Sequence, residues 1–183
     1  MIHFNFCNRC GRQIIQQILL LKDQNQQVCP SCLEIHNAHP KVVCGTLVTW
    51  ESKILLCRRA IEPCYGLWTL PAGYLELFET MEQGAVRETW EEAGVKIEIE
   101  QLYCMYDYPQ IGHIFALFKA QAKDGEFIAG PESLEVEFFL EQHIPWSKLA
   151  FTTTTRTLAH YFSDRKKARF DFHLETLSTI PDE

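Results

Sequence analysis

Residues 73–95 read GYLELFETMEQGAVRETWEEAGV, and we expect the rest of the chain to fold so that it holds this stretch in place. Thr80, with Gln83 three positions later, is the capping-box pattern that begins a helix, and Gly94 is the residue type that commonly ends one. The pattern predicts a helix over residues 81–93. We expect one side to pack on a core and the other to form an acidic cluster. The core side is Val86, Thr89, Trp90 and Ala93, and the acidic side is Gly84, Glu88, Glu91 and Glu92.

The acidic side of this helix brings no structural benefit of its own. Carboxylates one turn apart repel each other by roughly 0.2–0.5 kcal/mol per pair. A divalent cation removes that repulsion, and carboxylate oxygens suit Mg²⁺ or Mn²⁺. Arg87 stands beside the cluster, where it can hold Glu79 through a bidentate pair. The alternative is an ordinary solvated helix face, which is what most charge runs are.

The spacing Gly73-x5-Glu79-x7-Arg87-Glu88-x2-Glu91-Glu92-x-Gly94-Val95 resembles the signature of the Nudix hydrolases. Thr89 is the one departure, because that family prefers an aliphatic residue there. The resemblance implies hydrolysis at phosphorus with Mg²⁺ (or Mn²⁺) as cofactor. It implies that the metal is held by the backbone carbonyl of Gly73 and by Glu88, Glu91 and Glu92. It also implies catalytic roles for Glu79, Arg87, Glu88 and a later carboxylate, best matched by Glu135 and next by Glu132.

The composition is that of a folded protein with an acidic balance. The chain has 183 residues, 46% of them hydrophobic, and a net charge of −7. That charge argues against non-specific binding to nucleic acid. No segment reaches the ~20 apolar residues of a membrane span, and the start, MIHFNFCNRC, does not resemble a signal peptide. We therefore expect a cytoplasmic protein that acts on a small-molecule nucleotide and has no membrane partner. A homodimer is left open.

Two C-x2-C pairs near the start predict a second metal centre. Cys7, Cys10, Cys29 and Cys32 have the spacing of a structural Zn²⁺ site with four thiolates. Residues 14–21 read as a strand and 22–26 as a polar turn before a return strand, as in a zinc ribbon. The alternative is redox-active or inert thiol pairs. His36 and His39 are close enough in sequence to be alternative ligands, although a loop role suits them better.

The remaining chain alternates strands with one more helix. Strands are expected over residues 42–49, 53–57, 95–99, 102–108, 114–122 and 136–140, and the closing helix over roughly 152–164. Cys44, Cys57 and Cys104 lie in apolar segments and are expected in the core. This order predicts the α/β class. The resemblance implies a Nudix-type α/β/α sandwich with a mixed sheet over residues 38–164, preceded by a small zinc ribbon at 1–37 and followed by a C-terminal extension at 165–183.

Two zinc-ribbon branches of the family compete for the substrate assignment. NADH pyrophosphatases carry an SQPWPFP-type motif soon after the signature, whereas this chain reads QLYCMYDYPQIGHIFALF there. The segments FCNRCG, LLCRRAIEP and GPESLE resemble the ADP-ribose/FAD pyrophosphatases of plant chloroplasts and bacteria. On that branch, Arg59 and Tyr108 are expected to contact the nucleotide. The alternatives are an NADH pyrophosphatase, an RNA-cap or nucleoside-triphosphate hydrolase, and a non-catalytic nucleotide sensor or nucleic-acid-binding regulator.

Overall fold

The computed structural model describes residues 5–14, 27–37 and 39–178, and the chain divides into two compact units between Pro40 and Lys41. In the first unit, strands β1 (Gln27–Val28) and β2 (Ile35–His36) pair antiparallel. The predicted strand and turn over residues 14–26 lie outside the described residues, except for Ile14. That residue is buried beside Cys7 and Cys29.

The second unit is built on one sheet of eight strands. Along the chain its elements are β3 (Lys41–Trp50), β4 (Lys53–Arg59), β5 (Trp68–Thr69), β6 (Ala72–Tyr74), α1 (Met81–Ala93), β7 (Ile97–Tyr108), β8 (His113–Ala122), β9 (Ser133–Leu140), α2 (Thr152–Lys167) and β10 (His173–Thr176). Two short 3-10 helices, Glu141–His143 and Trp146–Lys148, lie between β9 and α2.

Strand β3 is central to the sheet topology, because it pairs with three other strands. It runs parallel to β8, forms a hairpin with β4 at one end, and pairs antiparallel with β6 at the other end. The main order is β10-β7-β8-β3-β4-β5, and β9 pairs with β4. Parallel pairs (β3 with β8, β7 with β10) occur beside antiparallel ones, so the sheet is mixed as predicted.

The two long helices cover opposite faces of this sheet. Successive residues of a strand point to opposite faces, and Leu47 packs in the cluster that contains Leu158 of α2. Its neighbour Val48 packs in the cluster that contains Ala93 at the end of α1. The predicted α/β/α sandwich is therefore confirmed. The expectation that Cys44, Cys57 and Cys104 are core residues is also confirmed, since all three are buried.

Helix α1 begins and ends as its sequence predicts. Thr80 and Gln83 form the reciprocal capping box, and Gly94 is left-handed at the C-terminal end. The prediction of its buried side was wrong in part. Val86 and Trp90 are 39% and 52% exposed, whereas Gly84, Ala85, Thr89, Glu92 and Ala93 are buried. Small side chains let the helix lie close to β3, and this rotates the large apolar residues outward.

Two predicted boundaries also differ from the structure. The two strands expected over residues 95–99 and 102–108 form one strand, β7, which continues through register shifts. Helix α2 crosses the predicted boundary at residue 164, and β10 then joins the sheet parallel to β7. Tyr103 and His173 both hydrogen-bond to Asp164 and hold this end in place. Residues 165–178 are thus part of the second unit. No helix within the described ranges is long and apolar enough to cross a membrane.

Candidate active site and metal centres

Arg87 organises the charged side of α1. Its Nε and Nη2 donate to the two carboxylate oxygens of Glu79 at 3.0 and 2.7 Å, which is the bidentate pair expected from the sequence. Nη1 donates to Glu88 at 2.6 Å and to Glu91 at 3.2 Å. Nη2 also donates to the backbone carbonyl of Tyr74 at 3.1 Å. One guanidinium therefore ties the loop after Gly73 to the acidic face of the helix.

Glu79 is fixed as a carboxylate by this arrangement. The hydrogen bonds from Arg87, together with the backbone N–H of Glu76 at 2.7 Å, lower the pKa of Glu79 to about 2. Its oxygens are all directed to these donors, so Glu79 orients Arg87 and the loop. The same side chain lies against Gly84, where an added Cβ would come within 2.9 Å of the Glu79 carboxylate.

Glu88 lies against the backbone of Gly73. A Cβ at position 73 would fall 2.2–2.3 Å from the Glu88 carboxyl atoms, so only glycine leaves room for that carboxylate. Burial raises the pKa of Glu88, while Arg87 acts in the opposite direction. Gly73 sits in β6, which pairs with β3, so the sheet fixes the position of its carbonyl. The structure thus brings together the two groups that the sequence motif places fifteen residues apart.

Glu92 is the most buried carboxylate of the cluster, at 8% exposure. Burial, and next the negative charge of Glu88, raises its pKa to about 8, although Arg59 and the backbone N–H of Ala72 oppose the rise. A buried acid without a cation partner is costly to ionise. A divalent cation at the cluster would offset that cost, which is one sign that the donor set suits a metal.

The two later carboxylates, Glu132 and Glu135, lie in different surroundings. Glu132 lies at the wall of the cavity beside α1, and its charge raises the pKa of both Glu88 and Glu92. Glu135 is 50% exposed and pairs with Arg58 at 3.4 Å on the neighbouring strand. It is absent from the cavity wall. The residue that best matched the family pattern is therefore directed away from the cluster.

Gly130 explains how the Glu132 loop reaches α1. Its N–H donates to the carbonyl of Glu92 at 3.0 Å, and a Cβ at this position would lie 1.7 Å from the carbonyl of Glu91. Only glycine permits so close an approach to the helix end. Sequence reasoning did not identify this anchor. The pair Gly130-Pro131 just ahead of the carboxylates was the available signal.

A cavity of about 1100 Å³ opens beside the acidic cluster. Its wall includes Glu88, Glu91 and Glu92 on one side and, further along, Arg59 and Tyr108, the two residues expected to contact a nucleotide. Arg59 is held by the Pro63 carbonyl at 2.7 Å and stacks on Phe151, whereas Arg58 points to the other face of β4. A volume of this size accommodates a nucleotide derivative.

The carboxylates fit Mg²⁺ better as partial ligands than as a closed cage. In the described part of the chain, only the four cysteines bring three or more candidate ligand atoms within 4.8 Å of one another. The acidic side chains are more widely spaced than this, and Arg87 forms ion pairs with both Glu88 and Glu91. Mg²⁺ usually takes one or two protein carboxylates and completes its shell with water and phosphate. The set of Gly73, Glu88, Glu91 and Glu92 suits that mode of binding.

The departure at Thr89 is compensated across the core. Its hydroxyl lies 2.7 Å from the hydroxyl of Thr46 on β3, and it also donates to the carbonyl of Ala85 at 2.7 Å. Both threonines are completely buried. A polar residue in place of an aliphatic one is therefore satisfied by a second polar residue, which sequence reasoning missed. The contact between Thr46 and Thr89 joins α1 to β3.

The four N-terminal cysteines converge as the spacing predicts. Their sulfur atoms all lie within 4.8 Å of one another, with Cys7 and Cys32 3.6 Å apart and Cys10 and Cys29 3.5 Å apart. Each C-x2-C segment forms a turn that is closed by a backbone hydrogen bond. The N–H of Gly11 donates to the carbonyl of Cys7, and the N–H of Leu33 donates to the carbonyl of Cys29. His36 and His39 are not members of this cluster. The geometry fits a tetrahedral thiolate site for zinc.

Comparisons with known proteins agree with this arrangement. The family model described as the NUDIX domain matches residues 39–161. An ADP-ribose pyrophosphatase from Methanocaldococcus jannaschii is 36% identical over 117 residues, which cover 62% of this chain and 68% of that protein. The NAD-capped RNA hydrolase NudC from Salmonella heidelberg is 28% identical over 143 residues. That match covers 76% of this chain but only 53% of NudC, so the chain spans about half of that relative.

One solved structure matches almost the whole chain. The crystal structure of a NUDIX hydrolase from Nitrosomonas europaea is 43% identical in sequence and superposes with a TM-score of 0.93. The match covers 96% of this chain and 100% of that one. The likeness therefore includes the N-terminal cysteine unit as well as the sheet and the acidic helix.

Proposed function

The chain belongs to the NUDIX family of hydrolases, and from that premise we propose that it cleaves the diphosphate of a nucleoside diphosphate linked to a second group. The preferred substrates are ADP-ribose and FAD, and AMP is one product. The observation that carries this proposal is the Arg87-ordered carboxylate set at the wall of a cavity large enough for a nucleotide. Bound Mg²⁺ would neutralise phosphate charge and lower the pKa of the attacking water.

The protein's own residues supply orientation and proton transfer. Glu79 and Arg87 hold Glu88 against Gly73, so the Glu88 carboxylate and the Gly73 carbonyl would present their oxygens to a metal ion in a fixed geometry. Preorganisation of this kind lowers the barrier because no side chain must reorient during reaction. Arg59 faces the same cavity and offers its guanidinium to a phosphate oxygen.

We assign the general base to Glu132 rather than to Glu135. Glu132 is solvent-exposed at the cavity wall and close enough to Glu88 and Glu92 to raise the pKa of each. A carboxylate in that position can take the proton of the attacking water. Glu135 pairs with Arg58 outside the cavity.

The two glutamates offer a matched test of this assignment. Glu132→Gln should lower kcat by about 10²–10⁴-fold, the usual contribution of a general base. Glu135→Gln removes the same charge three residues away and should leave kcat within about twofold. Equal losses in both variants, or a loss only in Glu135→Gln, would overturn the assignment.

The substrate proposal is tested by parallel turnover assays. ADP-ribose, FAD, NADH and nucleoside triphosphates are incubated with the protein and Mg²⁺, and AMP is measured by chromatography. We expect kcat/KM for ADP-ribose and FAD to exceed that for NADH by at least ~10-fold, a gap of about 1.4 kcal/mol in transition-state binding. The absence of the NADH-type motif between Leu102 and Phe118 supports this order. NADH as the best substrate would refute it.

A further inference from the structure

The first turn of α2 lies at the cavity wall without a side-chain cap. Its N-cap residue is Phe151, which cannot accept a hydrogen bond through its side chain. Within the described part of the chain, the backbone N–H groups of Thr152, Thr153 and Thr154 have no acceptor. Thr153 and Thr154 are also buried. A buried, uncapped helix N-terminus presents N–H donors and partial positive charge, which together attract an anion.

A second buried donor points to the same place. Tyr108 is 1% exposed, lines the cavity, and its hydroxyl has no partner of normal hydrogen-bond geometry among the described residues. Burial raises the pKa of Tyr108, and the Thr152 side chain and Arg156 oppose that rise. The interaction with the Thr152 side chain is short-range, so the Tyr108 hydroxyl lies near the first turn of α2. A buried hydroxyl left without a partner is uncommon, and a bound water, ion or ligand would satisfy it.

Arg59 links this region to the acidic cluster. Its guanidinium carbon lies 5.0 Å from the centre of the Phe151 ring, and its Nε is fixed by the carbonyl of Pro63. The same positive charge lowers the pKa of Glu92. The cavity wall therefore includes acidic residues suited to a cation and, separately from them, Arg59, Tyr108 and the first turn of α2.

We propose that the N-terminus of α2, the Tyr108 hydroxyl and Arg59 form a subsite for the phosphate that leaves during hydrolysis. The inference rests on the proposed pyrophosphatase function. When water attacks one phosphorus, its oxygen forms a bond there, its proton passes to a carboxylate, and the bond from that phosphorus to the bridging oxygen breaks. The electron pair stays on the bridging oxygen, so the leaving phosphate gains negative charge. Donors fixed around that phosphate stabilise it as the charge develops.

The subsite can be tested without metal or turnover by titrating inorganic phosphate into the full-length protein in Mg²⁺-free buffer. Amide resonances of Thr153 and Thr154 should shift in two-dimensional NMR spectra. The phosphate affinity should fall at least ~5-fold in Tyr108→Phe and in Arg59→Gln. Two matched controls, Tyr65→Phe and Arg58→Gln, lose the same groups outside the cavity wall and should bind phosphate like the wild type.

Stability separates a ligand-binding hydroxyl from a structural one. If the Tyr108 hydroxyl is unpaired until phosphate binds, Tyr108→Phe removes an unpaired buried group from the free protein. Its Tm should then stay unchanged or rise. A lower Tm with unchanged phosphate affinity would make the hydroxyl structural and overturn the proposal. Phosphate shifts confined to other amides would overturn it as well.

A second variant tests the helix end directly. Phe151→Asp places a carboxylate where it can accept the N–H groups of the first turn, so Tm should rise while phosphate binding is lost. Unchanged phosphate affinity in this variant would contradict the subsite. Phosphate binding without any nucleotide hydrolysis would refute the proposed function but leave the subsite standing. Nucleotide hydrolysis without phosphate-induced shifts of the α2 amide resonances would support the proposed function and overturn the subsite.

Discussion

Replacing Glu92 by glutamine should abolish hydrolysis and at the same time stabilise the metal-free protein. The side chain is buried at the centre of the acidic cluster, and burial raises its pKa to about 8. The folded protein therefore keeps a proton on Glu92 that the unfolded chain releases above its ordinary pKa of ~4.3. Between these two pKa values the folded state binds more protons than the unfolded chain. The contribution of Glu92 to stability is therefore fully present below pH ~4.3 and is lost as the pH rises to about 8.

The size of the effect follows from the shift. One pKa unit corresponds to about 1.4 kcal/mol, so Glu92 costs the metal-free protein about 3 kcal/mol at roughly pH 7. Glu92→Gln removes this cost, because the amide has nearly the same shape and no charge. For a chain of this length, about 3 kcal/mol corresponds to a rise in Tm of roughly 6–12 °C. The gain should be close to zero near ~pH 4, where the carboxyl is protonated in both states.

The assay is urea unfolding of the wild type and Glu92→Gln at several pH values in Mg²⁺-free buffer. Chelators are left out so that any zinc at the cysteine cluster is retained. Glu91→Gln is the control, because it changes the same charge at an exposed position one residue earlier and should not show the pH-dependent gain. Added Mg²⁺ should stabilise the wild type, by about 2.7 kcal/mol at 100 times its Kd, and should stabilise Glu92→Gln far less.

Two results would contradict this reasoning. If Glu92→Gln is no more stable than the wild type at neutral pH, then burial does not raise the cost of ionising Glu92. If the variant retains the wild-type kcat with Mg²⁺, then Glu92 is not part of the metal site. The two measurements are independent, so either part of the argument can fail alone.

Three further predictions follow from other contacts. Thr89→Val should cost about 1–3 kcal/mol in the free energy of unfolding because it leaves the Thr46 hydroxyl buried and unpaired, whereas adding Thr46→Val should recover most of that loss; additive costs in this double-mutant cycle would exclude the coupling. Gly73→Ala should leave the fold intact but displace the Glu88 carboxylate and lower kcat by about 10²-fold, with circular dichroism as the check on folding; wild-type turnover would show that Glu88 need not lie there. The purified protein should contain about one zinc per chain, measured by atomic emission; freely alkylated cysteines in a metal-free native protein would refute the zinc site.

Local chemistry explains what the sequence predicted well. The limits of α1 depend on Thr80, Gln83 and Gly94, which act on backbone groups within a few residues. Arg87 and Glu79 are 8 residues apart in the sequence, and their pairing is favoured by opposite charge and by the geometry of the guanidinium group. The cysteine pairs are likewise set by the short turns that carry them. Each of these features can be read from neighbouring residues, because the partners are close in sequence.

The three-dimensional packing decided which side chains reach the cavity. Apolarity predicted that Val86 and Trp90 face the core, but the fit of small residues against β3 turned them outward and buried Glu92. The family resemblance pointed to Arg59, but its place at the cavity wall against Phe151, and the pairing of Arg58 with Glu135 instead, depend on contacts made in the folded chain. Glu132 reaches the cluster because Gly130 binds the end of α1, while Glu135 is carried along β9 to Arg58. These outcomes depend on contacts between residues far apart in the chain, which no local pattern records.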